Sequence, residues 1–188
     1  MQKKVLVPVA DGTEELEAIA IIDVLRRAGA VVTVASVSGN RQITTSHGIV
    51  VIADALIDDC VGGDYDLVVL PGGIPGAENL RDSSALIELL KRQRDKDRLY
   101  GAICASPALV LEHHGLLENH QATCHPAYVD ELSNTDQVSS RVVVDGNCIT
   151  SQGAGTAVDF ALALVEQLFG RKQRDEVAVS MVLPKLSQ

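Results

Sequence analysis

Short apolar runs without alternation constrain the fold of this chain more than any other feature. Val5 to Val9, Val31 to Val37 and Asp64 to Leu70 are dominated by Val and Leu, and polar residues do not alternate with apolar ones. Strands that face water on one side alternate, whereas strands covered on both faces do not. The pattern therefore predicts an α/β fold whose strands lie in a mostly parallel, fully covered sheet.

In the stretches between these runs, apolar residues recur at the spacing of an α-helix. Helices are predicted at Glu14–Arg27, Ser84–Lys96, Gly153–Phe169 and Arg174–Leu183, and the loop at 11–13 is expected to cap the first. Two pairs of short strands depart from strict alternation and predict hairpins: 43–45 with 49–53, and 142–145 with 148–151. A further short strand is predicted at 121–126.

Size and charge limit the possible functions. A chain of 188 residues suits one domain, and 46% hydrophobic residues without Trp predict an aliphatic core. We therefore expect residues 1–188 to form a single domain without linkers or repeats. The net charge of −9 argues against nucleic acids and anionic membranes as partners. The expected partner is a small molecule or another protein.

The N-terminus and the cysteines indicate the compartment. The apolar run after Lys3 and Lys4 ends at Asp11, too early for a signal peptide or a membrane span, so a cytoplasmic protein is expected. The four cysteines show no paired spacing typical of zinc or of a redox dithiol. They are Cys60, Cys104, Cys124 and Cys148. We predict no disulfide, metal or cofactor.

Cys104 lies where an apolar strand, starting at Leu99, gives way to a helix predicted to run to about His113. A strand-to-helix turn flanked by small residues exposes its central side chain, as in a nucleophile elbow. The start of the following helix would favour thiolate over thiol. The alternative is a buried cysteine that acts only as a small hydrophobe.

The first predicted helix carries a second candidate. Glu17 shares its face with Ile21 and Val24, so its carboxyl lies either at a solvated rim or in a partly buried position. Burial would raise its pKa and let it donate a hydrogen bond. The same helix has almost no polar face, which favours a homodimer interface, although later segments of the chain offer an alternative cover.

Glycines and histidines complete the predicted edge of the sheet. The strand before Pro71 runs into Gly72 and Gly73, where a backbone N–H can point at developing negative charge; a plain glycine turn is the alternative. His125 is predicted at the same edge, where ligand sites form in parallel sheets. His47 lies in a turn, where it contacts water, an anion or a partner chain.

Five ordered motifs together resemble the ThiJ/PfpI superfamily, especially the branch of the parkinsonism-associated deglycase and its bacterial relatives. The motifs are Glu-Glu-Leu-Glu at 14–17, Val-Val-Leu-Pro-Gly-Gly at 68–73, Ala-Ile-Cys-Ala at 102–105, Cys-His-Pro at 124–126 and Thr-Ser-Gln-Gly-Ala-Gly-Thr at 150–156. The resemblance implies a flavodoxin-like three-layer sandwich that forms a homodimer. By motif position Cys104 matches the nucleophile, Glu17 its carboxyl partner and His125 the nearby histidine. Gly73 and Ala105 match the oxyanion N–H donors.

The resemblance implies a cofactor-independent glyoxalase or deglycase that acts on methylglyoxal, glyoxal or early glycation adducts through a hemithioacetal at Cys104. A redox sensor or chaperone that uses oxidation of Cys104 is the alternative. A peptidase or amidase is disfavoured because Ala105, rather than a histidine, follows the cysteine. The family often has arginine at the place of His47 and glycine at that of Ser106.

Overall fold

The computed structural model describes residues 2–184. Its strands follow the predicted runs to within a few residues, with an additional short strand at 55–56. They are β1 (Lys4–Val9), β2 (Val31–Ser36), β3 (Gln42–Thr44), β4 (Val50–Ile52), β5 (Ala55–Leu56), β6 (Leu67–Leu70), β7 (Leu99–Ile103), β8 (Val142–Asp145) and β9 (Cys148–Ser151). The helices are α1 (Glu15–Arg27), α2 (Ile57–Cys60), α3 (Gly76–Arg81), α4 (Ser84–Asp95), α5 (Ala157–Phe169) and α6 (Arg171–Ser180).

Seven strands form one sheet in the order β5-β2-β1-β6-β7-β9-β8, parallel except where β8 meets β9. The five longer parallel strands keep the flavodoxin-like order, in which the second strand precedes the first and the others follow. Apolar clusters lie on both faces, one beneath α1 and α5 and the other beneath α4. The predicted α/β fold, a flavodoxin-like three-layer sandwich, is confirmed.

The hairpin of β3 and β4 forms a separate two-stranded sheet, as the turn at 46–48 predicted. Its backbone is tied to the loop before α1, because the Gly12 N–H donates to Thr44 O and the Ser46 N–H donates to Thr13 O. The hairpin thus stands beside the first turn of α1. The hairpin predicted at 142–151 is also confirmed.

Two local expectations, the strand at 121–126 and the cap of α1, were wrong. Residues 121–125 form no strand; they run extended into a short 3-10 helix, Pro126–Glu131, because Thr123 is held by a side chain, Thr150 Oγ1. The helix predicted after the elbow is confirmed over Pro107–Glu112, where it is π-helical. The cap of α1 is the Glu14 side chain, which accepts from the Glu17 N–H at 2.7 Å, instead of the loop at 11–13.

The apolar surface of α1 is covered only in part by the rest of the chain. Ile21, Val24 and Leu25 are fully buried in the cluster that also contains α5. Leu16 and Ile19 are 55% and 51% exposed. Later segments therefore cover the inner stripe, and an outer apolar pair remains on the surface.

Candidate active site

Cys104 sits in a strained backbone conformation at the end of β7. Its φ is 66°, a region that non-glycine residues other than Asn and Asp rarely adopt and that costs about 1–3 kcal/mol. Two hydrogen bonds hold the turn: the Cys104 N–H donates to Ser151 O at 3.0 Å, and Cys104 O accepts from the His125 N–H at 2.8 Å. The side chain is half-buried, so the interpretation of Cys104 as a sealed core residue does not hold.

Glu17 is fully buried on α1, which excludes the solvated-rim interpretation. Its Oε2 accepts from the Gly72 N–H at 2.8 Å, whereas its Oε1 has no hydrogen-bond partner within residues 2–184. Burial raises the pKa of this carboxyl to about 7, against the lowering effect of the Gly72 N–H and the Cys104 thiol beside it. The proton of the neutral carboxyl can therefore be carried on Oε1, the oxygen that does not accept from the Gly72 N–H.

Gly72 and Gly73 let the loop after β6 approach this pair. A Cβ on Gly72 would lie 2.5 Å from the Cys104 Cβ and 2.9 Å from Glu17 Oε2. Gly73 has a φ of +92°, and a side chain there would collide with the backbone of Gly12 and Glu14. The plain glycine turn is thus excluded, because both positions require glycine to bring N–H groups to the side chains.

The electrostatics of Cys104 differ from the expectation. Burial raises the pKa of the thiol to about 12, and an ionised Glu17 adds to the increase, while the N–H groups of Gly73 and Ala105 lower it. The Ala105 N–H just before the following helix lowers the pKa, in the direction predicted for the helix start, but burial and an ionised Glu17 outweigh it. Two negative charges cannot share this buried site, so thiolate forms only when Glu17 carries the proton, and the two groups titrate as a pair.

His125 reaches the site although it is not on a strand. Its Nδ1 accepts from the Ala127 N–H at 3.2 Å at the start of the 3-10 helix, which leaves the ring proton on Nε2. A Cβ on Gly153 would lie 3.5 Å from His125 Cδ2, 3.9 Å from Glu17 Oε1 and 4.0 Å from Cys104 Sγ, so these three side chains border the same small space. The exposed ring can donate a hydrogen bond through Nε2 but cannot act as a base there.

The structure thus brings Cys104, Glu17, Gly72, Gly73, Ala105 and His125 together, while their roles in a reaction stay predictions. Sequence reasoning missed the buried Ser106 hydroxyl, which donates to Pro71 O at 2.6 Å, and the nearby Gly153. The only signal was a polar residue within the apolar run after Cys104. That signal does not reveal a partner 35 residues earlier in the chain.

His47 lies in the turn of the β3–β4 hairpin, where its side chain is 72% exposed and its Nδ1 is 3.2 Å from Glu15 Oε1. Potential ligand atoms of Glu14, Glu15 and His47 lie within 4.8 Å of one another, a spacing that suits a cation. The contacts among these side chains and Ser46 account for that spacing without an ion. The pair of His47 and Glu15 ties the hairpin to α1.

The burial of Glu17 predicts a pH dependence of stability. Its pKa rises from 4.5 to about 7 on folding, so between these pH values the folded chain keeps a proton that the unfolded chain has lost. The free energy of unfolding should therefore fall by about 3 kcal/mol through this group as the pH rises across that window. Urea unfolding at several pH values, compared between wild type and Glu17→Gln, measures the effect.

The difference between the two stability curves should open from pH 4.5 to 7 and then stay constant. Glu88→Gln, which removes an exposed carboxyl on α4, is the control and should parallel wild type. Parallel curves for Glu17→Gln and wild type would contradict the raised pKa.

Comparisons with known proteins agree with the geometry. The family model described as DJ-1/PfpI family matches residues 3–167. Protein DJ-1 homolog B of Arabidopsis thaliana is 49% identical over 170 residues, which cover 90% of this chain and 39% of that protein. The chain spans less than half of this relative and, at 47%, less than half of Protein DJ-1 homolog A of the same plant.

One further relative and one solved structure match over nearly their full length. The Caenorhabditis elegans protein named Glutathione-independent glyoxalase DJR-1.2 is 34% identical over 183 residues, 96% of each chain. The structure described as Toxoplasma gondii DJ-1, oxidized, has a TM-score of 0.94 and 44% identity, and the match covers 96% of this chain and 98% of that one. The resemblance inferred from the five motifs is confirmed, and the chain belongs to the DJ-1/PfpI family.

Proposed function

We propose that this protein is a cysteine-dependent glyoxalase that needs neither glutathione nor another cofactor. Its substrates would be methylglyoxal, glyoxal and early glycation adducts of these dicarbonyls. The observation that carries the proposal is the Oε1 of the fully buried Glu17 next to Cys104, an oxygen with no hydrogen-bond partner among the described residues. A carboxyl with a pKa near neutrality, beside a nucleophile and two N–H groups, can both accept and return a proton.

The first step is addition of Cys104 to the aldehyde carbon. As Glu17 takes the proton of the pair, the thiolate attacks C1 of methylglyoxal, a C–S bond forms and the carbonyl electrons move to oxygen. The N–H groups of Gly73 and Ala105, which already lie against the sulfur, are positioned to stabilise that oxyanion. The Nε2–H of His125 can bind the second carbonyl oxygen. Glu17 then returns its proton to that oxyanion, which gives a neutral hemithioacetal and leaves Glu17 as the carboxylate.

The second step moves hydrogen from carbon to carbon. Glu17 in its carboxylate form removes the proton from C1 of the hemithioacetal, and the electron pair forms the double bond of an enediolate with its charge on the C2 oxygen. Glu17 then returns the proton to C2, while the proton of the C1 hydroxyl passes to the C2 oxygen. C1 is thereby oxidised to a thioester while C2 is reduced to an alcohol. Water then hydrolyses the thioester, which releases lactate and regenerates the Cys104 thiol. Overall, one water is added to methylglyoxal, and glyoxal gives glycolate in the same way.

Lactate formation from methylglyoxal in the absence of glutathione tests the proposal. The wild-type chain should form lactate from methylglyoxal and glycolate from glyoxal, and added glutathione should not be required for either. The glyoxalase name of the Caenorhabditis elegans relative supports this outcome. No lactate above the protein-free reaction would reject the function.

A redox-sensing or chaperone function is the second candidate, favoured by the description of the Toxoplasma gondii relative as oxidized. A sulfinate at Cys104 would accept one hydrogen bond from the protonated Glu17 carboxyl and others from the same N–H groups. A peptidase or amidase is disfavoured, because Ala105 follows the cysteine and His125 Nδ1 is occupied by the Ala127 N–H.

We also propose a homodimer that forms through α1. Leu16 and Ile19 are exposed one turn apart on one face of this helix. The neighbouring hairpin exposes Ile49, Val50 and Ile52 as well. Apolar side chains grouped in this way are typical of an interaction surface.

The double variant Leu16→Lys/Ile19→Lys should convert a dimer into a monomer, because four lysines would face one another across a two-fold interface. Sedimentation velocity measures the change in mass. Val144→Lys, at a position 44% exposed on β8, is the control and should leave the dimer intact. A monomeric wild type, or a double variant that remains dimeric, would contradict the interface.

A further inference from the structure

The Ser106 side chain is a polar group that the proposed mechanism does not use. It follows Cys104 by two residues, is fully buried, and donates its hydroxyl proton to Pro71 O at 2.6 Å. This hydrogen bond joins the segment after the elbow to the loop after β6. That loop supplies both Gly72 and Gly73 to the site.

The Pro71–Gly72 peptide unit is held from two sides. Its carbonyl accepts from Ser106, and its N–H donates to Glu17 Oε2 at 2.8 Å. In a trans peptide the C=O and the N–H point in opposite directions within one plane. Ser106 therefore fixes the orientation of the Pro71–Gly72 peptide plane, and with it the direction of the Gly72 N–H toward the Glu17 carboxyl. Its hydrogen bond also polarises the peptide, which makes the N–H a stronger donor.

The carbonyl of the next peptide unit is held by a backbone group instead of a side chain. Gly72 O accepts from the Glu14 N–H at 2.9 Å, and the Gly73 N–H faces the Cys104 thiol. Of these two adjacent units, the one that faces Glu17 has its carbonyl held by the Ser106 side chain. A substitution at Ser106 therefore separates the support of Glu17 from the support of Cys104.

We propose that Ser106 is a positioning residue, which aims the Gly72 N–H at Glu17 through the Pro71–Gly72 peptide and so sets the proton affinity of that carboxyl. This inference rests on the proposed function in one respect: the proposed reaction is what uses the Glu17 proton in catalysis. The hydroxyl stabilises the ionised carboxylate, because a hydrogen bond to the charged form favours it. Without the hydroxyl, Glu17 holds its proton more tightly.

Infrared titration of the buried carboxyl tests this role. The band of the protonated Glu17 carboxyl, identified by its loss in Glu17→Gln, is followed against pH in the full chain. Ser106→Ala should raise the midpoint by about one pH unit. Ser106→Gly should do the same, and it serves as the second variant if alanine disturbs folding. Ser106→Thr, which keeps a hydroxyl, should restore the wild-type midpoint.

Ser36→Ala is the matched control. Ser36 is also fully buried, on β2, and its Oγ accepts one hydrogen bond, from the Ser38 N–H at 3.1 Å. Its midpoint should equal that of wild type. A wild-type midpoint in Ser106→Ala, an equal shift in Ser36→Ala, or a threonine variant that shifts as far as alanine would each overturn the role of Ser106.

The same variants assayed for lactate separate the two proposals. A shifted midpoint in Ser106→Ala with no turnover by wild type would remove the glyoxalase function and leave the role of Ser106. Turnover by wild type with an unshifted midpoint would leave the function and remove the role.

Discussion

Cys104→Ser is expected to lower lactate formation from methylglyoxal by about a thousandfold or more. A serine hydroxyl ionises far less readily than a thiol, so Glu17, with a pKa of about 7, cannot draw off its proton to make a nucleophile. The variant should still fold, because oxygen replaces sulfur at a half-buried position. Initial rates of lactate formation, measured without glutathione, give the effect.

Cys60→Ser is the control for this substitution. Cys60 is a buried cysteine on α2 in the apolar cluster on the other face of the sheet from α1. It should lose some thermal stability and keep its activity. Equal rates for Cys104→Ser and wild type would remove the sulfur from the mechanism.

Glu17→Gln is expected to lower the same activity by about a hundredfold to ten-thousandfold. Glutamine fills the space and can accept from the Gly72 N–H, but it cannot carry a proton from C1 to C2. The loss should fall on kcat, because the amide leaves in place the contacts proposed between the substrate and Gly73 and His125. Steady-state kinetics of Glu17→Gln beside Glu88→Gln measure this loss against a remote change of charge.

Oxidation of Glu17→Gln distinguishes the two candidate functions. A glutamine N–H can still donate to an oxidised sulfur, so treatment with hydrogen peroxide followed by mass spectrometry should show the sulfinate at Cys104. An enzyme loses turnover in this variant, whereas a sensor keeps its oxidised form. Wild-type turnover in Glu17→Gln would exclude the proton transfer assigned to Glu17.

The elbow and the first helix show how far sequence reasoning reached into the site. Apolar runs predicted the strand before Cys104, and the acidic residue on an apolar face predicted a candidate at Glu17, because both signals are local in the chain. The state of the pair was not predictable in this way. Burial raises the pKa of both groups, and the charge of Glu17 raises that of Cys104 further. These effects depend on how α1 places Glu17 beside Cys104 and the loop after β6.

Residues 121–126 show the opposite case. Their pattern favoured a strand, yet a side-chain contact with Thr150 and the hydrogen bond of the His125 N–H to Cys104 O draw the segment away from the sheet. His125 still reaches the sulfur, but its tautomer is set by Ala127, a contact within the 3-10 helix. Local propensity lost to tertiary hydrogen bonds there.

The sequence by itself determined the parallel α/β sandwich, the turn at Cys104 and the glycines that approach it, because these follow from periodicity and from the conformations open to each residue type. The tertiary structure alone decided that one oxygen of the Glu17 carboxyl accepts from the Gly72 N–H while the other has no partner in the part of the chain that the structure describes. It also decided that Ser106 reaches Pro71 across 35 residues. Such contacts join distant segments, and their energies depend on burial, which no local pattern records.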